Sequence, residues 1–543
     1  MNNWVHKGFL TITQAITQQF SERELLYPVP SFPDDIPNLP AAAQMIRKNI
    51  KAGRPIVIVG DYDADGTCAA AILFLTFRQL GANVTVRIPR RMTEGYGISV
   101  SIIDEILAAQ NKGLIVTVDN GITAFDAMEH AKKNGFDVVV IDHHLPADTL
   151  PEADVIVNPK VDCGMGFEDY CGAGLAYKLA AYMLPDENSR HLLSQLAALS
   201  AIGTVADVVP LHGDNRIIVR KGLEAINSHQ VFGGLQSVLD ACQLSNIHAV
   251  DIGFKLAPVI NAPGRLIDDG ARLSCAVLAS EKAVPQNARK LCAYNEERKS
   301  LVQQAMNRIS TACLAQENGC LVVFDASVSE GIAGIIAGRL TEMYGLPALV
   351  FAKGENGWKG SGRSVDRVNL KERLDKTYEE FCRETGTIDV FHFGGHAGAA
   401  GMWLEFGFEK QFRTVVAAVM NDIPSSAGAI PEYDVCVAEE NLRSAYEEQA
   451  KFEPFGEGCP QPTVLVPGLD ISGLVKMGNQ KQHIRFQSPS GIKFLGFNMA
   501  NQFDSLKNCS IVDVLGKLSY SETKWGKEIQ FIVSEVSPGE KTR

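Results

Sequence analysis

No stretch of the 543-residue chain approaches the roughly 18 consecutive apolar residues that a membrane-spanning helix needs, so no span is expected. The opening residues, MNNWVHKGFLTITQAITQQF, lack a basic region followed by an apolar core and a small-residue cleavage site. No signal peptide is therefore expected. No CxxC pair occurs. The 12 cysteines are scattered singly, which without an export signal reads as reduced thiols rather than a disulfide framework or a zinc site, with the cytoplasm as the expected compartment. Positive charge is not in excess either. A formal net charge of −12 weighs against a surface that is basic throughout, as phosphate binding favours, but leaves room for a basic groove on an acidic protein. No fixed-period repeat is found. At about 100–200 residues per domain, the length implies three or four domains.

What is present is an alternation of strands and helices. PIVIVG at 55–60 is a short apolar run ending in Gly, as a buried parallel strand requires. A helix near 67–80 comes next. VTVRI at 84–88, a helix near 99–110, LIVTVD at 114–119, a helix near 123–134, DVVVID at 137–142 and DVIVN at 154–158 continue the pattern. This predicts a parallel, doubly wound α/β sheet. Residues 172–245 read as mostly helical. Residues 281–316, with few breakers beyond Pro285, read as one long polar connecting helix. CLVVFDAS at 320–327, GIAGIIAGRLTEMYG at 331–345 and PALVFA at 347–352 predict a second, smaller α/β lobe that ends in FGGHAGAAG at 393–401. From about residue 430 short alternating runs predict a small OB-like β-barrel.

The strongest chemical signal sits where the first strands end. GDYDADGT sets Asp61, Asp63 and Asp65 at alternate positions, VDNG brings Asp119, IDHH brings Asp142, His143 and His144, and GTVADVVP adds Asp207. In parallel α/β sheets, sites gather beyond the carboxyl ends of the strands, so these residues are expected to converge. An Asp-Gly after a strand is by itself a common turn; its recurrence in several segments, with His-His beside one, points to a metal. Packed carboxylates raise one another's pKa values, and a divalent cation removes that conflict. Carboxylate oxygens with imidazole nitrogens suit Mn²⁺ or Mg²⁺. Two such ions about 3.5–4 Å apart stabilise both the attacking and the leaving oxygen at phosphorus.

GDYDADG, VDNG, IDHH and GTVADVVP resemble the four sequential motifs of the DHH phosphoesterase superfamily. RMTEGYGIS, INAPGRL, SEGIAGIIAGRL, GSGRS, FGGHAGAAG and EPFGEG fall in the order of one branch, the bacterial RecJ-type single-stranded-DNA exonucleases, from about residue 40 onward. The resemblance implies 5′-to-3′ hydrolysis of single-stranded DNA to mononucleotides with two Mn²⁺ or Mg²⁺ ions, in repair and recombination, alongside a helicase and a single-strand-binding protein. It implies that Asp61, Asp63, Asp65, Asp119, His143 and Asp207 hold the ions, with Asp119 bridging them. His144 would contact the scissile phosphate, and Asp142 would orient the neighbouring histidines. The catalytic set is then Asp119, Asp142, His143, His144 and Asp207. The chain departs from the branch at Val328 and Ser329, where Trp-His is usual, and at Cys459, where Asn is usual. These departures bear on the second lobe rather than on the metal centre.

Substrate contacts are expected in several places. GSGRS at 360–364 reads by itself as a Gly-rich β-turn with a solvated arginine; the resemblance implies that its exposed N–H groups, with Ser361 and Arg363, bind the 5′-terminal phosphate. Arg91 and Arg265 are similar candidates. Tyr96 would stack on a base or anchor its loop, and Gly394, Gly395 and His396 form a tight loop that can approach phosphate closely. Lys476, Lys481, His483 and Arg485 could form one basic strand edge. The expected organisation is a lead segment 1–45, a DHH catalytic lobe 46–280, a connecting helix 281–316, a DHH-associated substrate-binding lobe 317–430 and an OB-like nucleic-acid-binding domain 431–543, in a monomer. Two other readings share the motifs. A DHH phosphodiesterase for short oligonucleotides or cyclic-dinucleotide products needs neither the long connector nor the barrel. An inactive DNA-binding scaffold should have lost ligands, and every proposed ligand is present.

Overall fold

The computed structural model describes residues 4–110, 112–161, 166–312, 319–424, 430–478, 481–523 and 526–539; positions 313–316, the end of the expected connector, lie outside them. The first strand, β1 (Val5–His6), lies parallel to Glu432–Tyr433, far along the chain. The lead segment is thus a strap on the C-terminal unit: Ile12, Ile16 and Leu25 are buried in one apolar cluster with Val464, Phe486 and Phe531.

In the first lobe β2 (Ile56–Val59), β3 (Val84–Arg87), β4 (Leu114–Val118), β5 (Asp137–Ile141) and β6 (Val155–Val157) form an all-parallel sheet in the order β3-β2-β4-β5-β6. Alternate residues feed two cores. Ile56, Ile58, Val116, Val118, Val139 and Ile141 pack on one face. Val57, Val59, Ile115, Val138 and Val140 pack on the other. Strands buried on both sides explain the near-continuous β-branched runs. The order reverses between β2 and β4, so a crevice opens at their carboxyl ends.

A helix at Pro285–Ala312 leaves this lobe. At 1.5 Å per residue it is about 42 Å long. Its first turns bury Ala288 and Leu291 in the first lobe's core, and its later turns bury Val302, Ala305 and Ile309 in a core of the second. It therefore fixes the spacing of the lobes.

The second lobe has β7 (Leu321–Asp325), β8 (Ala348–Lys353), β9 (Trp358–Arg363), β10 (Phe391–Gly395) and β11 (Ala399–Leu404) in the order β10-β11-β9-β8-β7. Here GSGR is not a turn: residues 360–363 lie inside β9, bonded on both sides. The two glycines exist for packing. A Cβ on Gly360 would lie 2.5 Å from the Phe351 ring, and one on Gly362 would lie 2.9 Å from Leu370. Their N–H groups therefore serve a sheet, and only the side chains of Ser361 and Arg363 remain for a ligand.

The C-terminal unit has β12 (Glu432–Tyr433), β13 (Val435–Cys436), β14 (Val464–Asp470), β15 (Ser472–Met477), β16 (His483–Gln487), β17 (Lys493–Gly496), β18 (Ile511–Thr523) and β19 (Gly526–Pro538). The last seven form a sheet in the order β13-β14-β18-β19-β17-β16-β15. The expected basic edge divides. Register sets Arg485 opposite Val475 and His483 opposite Met477, so both lie on one face, while Lys476 lies on the other with its ammonium 4.9 Å from the Phe503 ring centre. Among the described residues no helix is long and apolar enough to cross a membrane.

Candidate metal centre and substrate cleft

The three acidic segments lie at the ends of β2, β4 and β5, as the crevice rule requires. After β2 the chain turns directly into the helix Ala64–Gln79, whose first turn holds Asp65; Asp63 caps that helix by accepting from Gly66 N at 2.9 Å. Asp119 follows β4 with φ 63, a left-handed conformation that a non-glycine residue rarely adopts. Val208, next to Asp207, has φ 58. For a β-branched residue this is a pronounced departure, and it turns the chain just as the helix Arg190–Ala206 ends.

Three groups of side chains converge: Asp61 with Asp63 and Asp119; Asp65 with His143 and Asp207; and Asp119 with His143 and His144. Within each, ligand atoms lie inside 4.8 Å of one another. His143 Nε2 lies 3.1 Å from Asp119 Oδ1, 3.6 Å from Asp207 Oδ2 and 3.9 Å from Asp65 Oδ2. These contacts are not hydrogen bonds. Asp61 Oδ1, Asp119 Oδ1 and both ring nitrogens of His143 are buried without a hydrogen-bond partner among the described residues. Burial pulls His143 down to about 4, so at neutral pH it offers lone pairs rather than a charge. Burial and neighbouring carboxylates push Asp61, Asp65 and Asp119 up, and Asp207 up to about 9. Unpaired buried acceptors facing one another are costly. Two divalent cations, one held by Asp61, Asp63 and Asp119 and one by Asp65, His143 and Asp207, would resolve the conflict, so this donor set fits the ions that the sequence pattern implies.

Asp142 plays a different part. Its Oδ1 accepts from His143 N (2.8 Å), His144 N (3.1 Å) and His144 Nδ1 (2.7 Å), and its Oδ2 accepts from Ile122 N (3.0 Å). Burial alone would push its carboxyl up, but these bonds and the His144 charge hold it below the ordinary value. Burial works against the His144 cation, yet the Asp142 hydrogen bond lifts His144 above its usual range. Tyr96 is tied into the same set. Its hydroxyl donates to the Asp119 carbonyl (3.1 Å) and lies 3.1 Å from His144 Nδ1. Its ring meets the His144 ring edge-on.

Several residues of the site escape a reading of the sequence. Gly172 and Gly203 leave room for the ligands: a Cβ would lie 2.5 Å from Asp119 Cβ in one case and 2.5 Å from Asp65 Oδ1 in the other. Gly172 N and Ala173 N, at a helix start, donate to Asp65 at 2.7 and 2.8 Å. Asn120 joins β2 to β4 by donating to Val59 O and Val118 O. Tyr62 carries Arg91 over its ring at 4.5 Å.

Across the cleft, positive charge gathers. Burial and the charges of Arg91, Arg298 and Arg363 push the Arg265 guanidinium down to about 9. Arg265 donates to Gly331 O (3.1 Å), so it bridges the lobes. Arg363 donates to Ser361 Oγ at 3.3 Å. Gly334 comes close to both: a Cβ there would lie 2.9 Å from Ser361 Oγ and 3.1 Å from Arg363 Nη2. Guanidinium groups from both lobes and the connecting helix thus gather where they repel one another, a conflict that a bound anion would relieve. The expected Gly394–His396 loop is only in part a loop: Gly394 and Gly395 end β10, paired with Gly401 and Ala400, and the chain turns after them, where His396 N donates to Ala399 O (2.9 Å) and Ser364 N to Gly398 O (3.0 Å).

A doubly wound parallel sheet with this carboxylate–histidine centre at its strand ends defines the DHH class of phosphoesterases. Residues 55–204 match the DHH family, N-terminal domain; residues 317–422 match the DHHA1 domain; and residues 433–535 match the RecJ OB domain. The single-stranded-DNA-specific exonuclease RecJ of Salmonella typhimurium is 31% identical over 534 residues, covering 92% of this chain and 90% of that protein. The Bacillus subtilis protein of that name is 31% identical over 94% of this chain, which spans 64% of its length. The crystal structure of RecJ with Mn²⁺ from Thermus thermophilus has a TM-score of 0.77 at 28% identity, covering 96% of this chain and 74% of that one. Its Mg²⁺ complex gives 0.71 at 25% identity, covering 96% and 73%. The chain belongs to the RecJ family.

Proposed function

We propose that this chain is a 5′-to-3′ exonuclease that hydrolyses single-stranded DNA to mononucleotides, using two divalent cations, Mn²⁺ or Mg²⁺. The observation that carries the reading is the pair of ligand groups, Asp61/Asp63/Asp119 and Asp65/His143/Asp207, set side by side with Asp119 Oδ1 3.1 Å from His143. Asp119 is placed to serve both. When bound, the cations supply a lowered pKa for the attacking water and charge stabilisation at the phosphate oxygens. The chain's own groups do the rest. Asp142 directs the His144 ring through the 2.7 Å bond and raises its affinity for a proton, so His144 can donate to a non-bridging oxygen of the scissile phosphate. Ser361, Arg363, Arg265 and Arg91 hold the terminal 5′-phosphate, with Gly394, Gly395 and His396 along its border. A phosphate fixed on one lobe sets which phosphodiester meets the centre on the other. On this reading Tyr96 positions Asp119 and His144 rather than a base.

Residues 46–280 are the catalytic lobe, 281–316 the spacer, 317–430 the end-binding lobe and 431–543 the unit that holds the downstream strand. The chain works as a cytoplasmic monomer in repair and recombination, on strands opened by a helicase and covered by single-strand-binding protein. The test is nucleotide release in Mn²⁺ from 5′-labelled single strands, with free or blocked 5′ ends, by wild type and Asp119→Ala. Release only from free ends, and only by wild type, supports the reading. Equal cutting of blocked ends, or of duplexes, sinks it.

A further inference from the structure

The open face of the second lobe's sheet continues beyond the phosphate pocket. Residues paired across strands point to the same side. Two rows result: Val350, Ser361, Gly401 and Gly394 in one, and Lys359, Trp403 and His392 in the next. The alternate residues Ala400, Met402, Leu404 and Phe391 are buried in the lobe's core on the opposite side. The helix Glu330–Tyr344 covers the β7–β8 half of this face through Ile336, Ala337 and Leu340 packed on Val350 and Ala352, and it ends its cover at Ser361 and Arg363. Beyond it the sheet is bare. A Cβ on Gly394 or Gly401 would meet nothing within 4 Å.

At the far side of this bare strip stands an aromatic pair. The His392 and Trp403 rings stack at 5.5 Å between centroids with 25° between planes. Trp403 is held from beneath by backbone: a Cβ on Gly357 would lie 2.7 Å from its Cε2 and Nε1. His392 is the exposed outer ring. Their row continues to Lys359, whose ammonium donates to Met92 O of the first lobe (3.2 Å) and pairs with Glu330 (3.0 Å). The shelf therefore borders the cleft rather than the remote surface. Two residues along a strand separate the Ser361 row from the Trp403 row, about 7 Å.

We propose that the His392–Trp403 pair is a stacking platform for the nucleobase of the 5′-terminal nucleotide, whose phosphate lies at Ser361 and Arg363. This rests on the exonuclease reading and adds a base subsite to its end-binding pocket. A phosphate pocket alone positions one atom group of a flexible chain end. A flat ring pair one nucleotide's breadth away, across a floor without side chains, fixes the sugar and base as well. Every base has a π face, so the platform is tolerant of sequence. It also makes the enzyme sensitive to whether a base is present.

The test compares 5′-phosphorylated single strands that differ only in having a thymine or an abasic site at the first nucleotide. Wild type should favour the thymine end in kcat/KM by roughly fivefold to a hundredfold, the range of one aromatic–base stack. His392→Ala should bring that ratio close to one, and His392→Phe should restore it, which a merely structural role would not do. Binding is read separately, by quenching of tryptophan emission in metal-free protein titrated with 5′-phosphorylated thymidine dinucleotide. Trp403→Phe should lose the quenched component. An abasic preference ratio unchanged by His392→Ala, or full quenching in Trp403→Phe, overturns the platform. If wild type binds the dinucleotide with quenching but cuts neither strand, the exonuclease reading fails and the platform stands.

Discussion

At the scale of single residues, the neighbouring acids of this site do different work, and their surroundings say which. Asp119 is buried with Oδ1 unpartnered, pushed up by burial and by the charges of Asp65, Asp63 and Asp61, a group that waits for a cation. Asp142 is equally buried but accepts four hydrogen bonds and is held low, a group already satisfied by protein. The two should fail differently. If Asp119 serves both cations as proposed, Asp119→Ala should lower kcat by about a thousandfold or more at any Mn²⁺ concentration, because the charge stabilisation itself is lost. Asp142→Asn keeps the ligands and loses only their aim, so a fall of about 10–100-fold is expected. Nucleotide release across a Mn²⁺ titration checks both. On the proposed reading that Ser361 and Arg363 hold the 5′ end, Arg363→Ala should cut the preference for 5′-phosphate over 5′-hydroxyl ends by about 10–100-fold, the strength of one charge-assisted hydrogen bond. Unchanged preference would place the terminal phosphate elsewhere.

At the scale of elements, the first lobe was legible because its central strands are near-continuous apolar runs and Asp61, Asp119, Asp142 and His143 follow their ends. IVIV, LIVTV and DVVVI announce burial on both faces, and a parallel sheet brings the residues after its strands to one edge. The second lobe was less so. Two glycines in six residues hide β9 from any period-2 pattern, because the reason for them, the Phe351 and Leu370 side chains, is visible only in three dimensions. The same holds for Gly172, which faces Asp119 from a helix more than fifty positions away. Likewise a cluster of basic residues close in sequence around β15 and β16 is split by the pleat onto two faces. Gly172→Ala tests the point. Its Cβ would force the helix Gly172–Met183 or the strained Asp119 backbone to move, which should cost about 1–3 kcal/mol by overpacking. It should also weaken Mn²⁺ binding, read by thermal melting with and without the ion. A variant with wild-type melting and Mn²⁺ affinity would show that the close approach has slack.

At the scale of the molecule, distant parts of the chain meet around Arg216, which is fully buried in the helix Gly213–Asn227. It donates to Leu25 O of the strap (2.6 Å), to Leu211 O and to Pro454 O (2.9 Å) and Phe452 O of the C-terminal unit, with Cys459 Sγ at 3.7 Å. This tie makes strap, catalytic lobe and C-terminal unit one body around the metal centre, so the centre's protonation should register in global stability. The folded carboxyls of Asp61, Asp65, Asp119 and Asp207 are all raised, by burial first and then by neighbouring carboxylates, Asp63 acting on each of them. A raised folded value contributes stability that is complete below the unfolded value and is lost as pH rises toward the folded one. For Asp207 that window runs from 3.8 to about 9. Protein stripped with a chelator should therefore melt at progressively lower temperature between about pH 5.5 and 8. With saturating Mn²⁺ the carboxylates are ionised and paired, so that decline should disappear, and Mn²⁺ binding should release protons and tighten with pH. Calorimetric titration in buffers of different ionisation enthalpy counts those protons. Melting curves for stripped and Mn²⁺-loaded protein that run parallel across this range, with no proton release, would show that the four aspartates do not share a cation-dependent charge conflict.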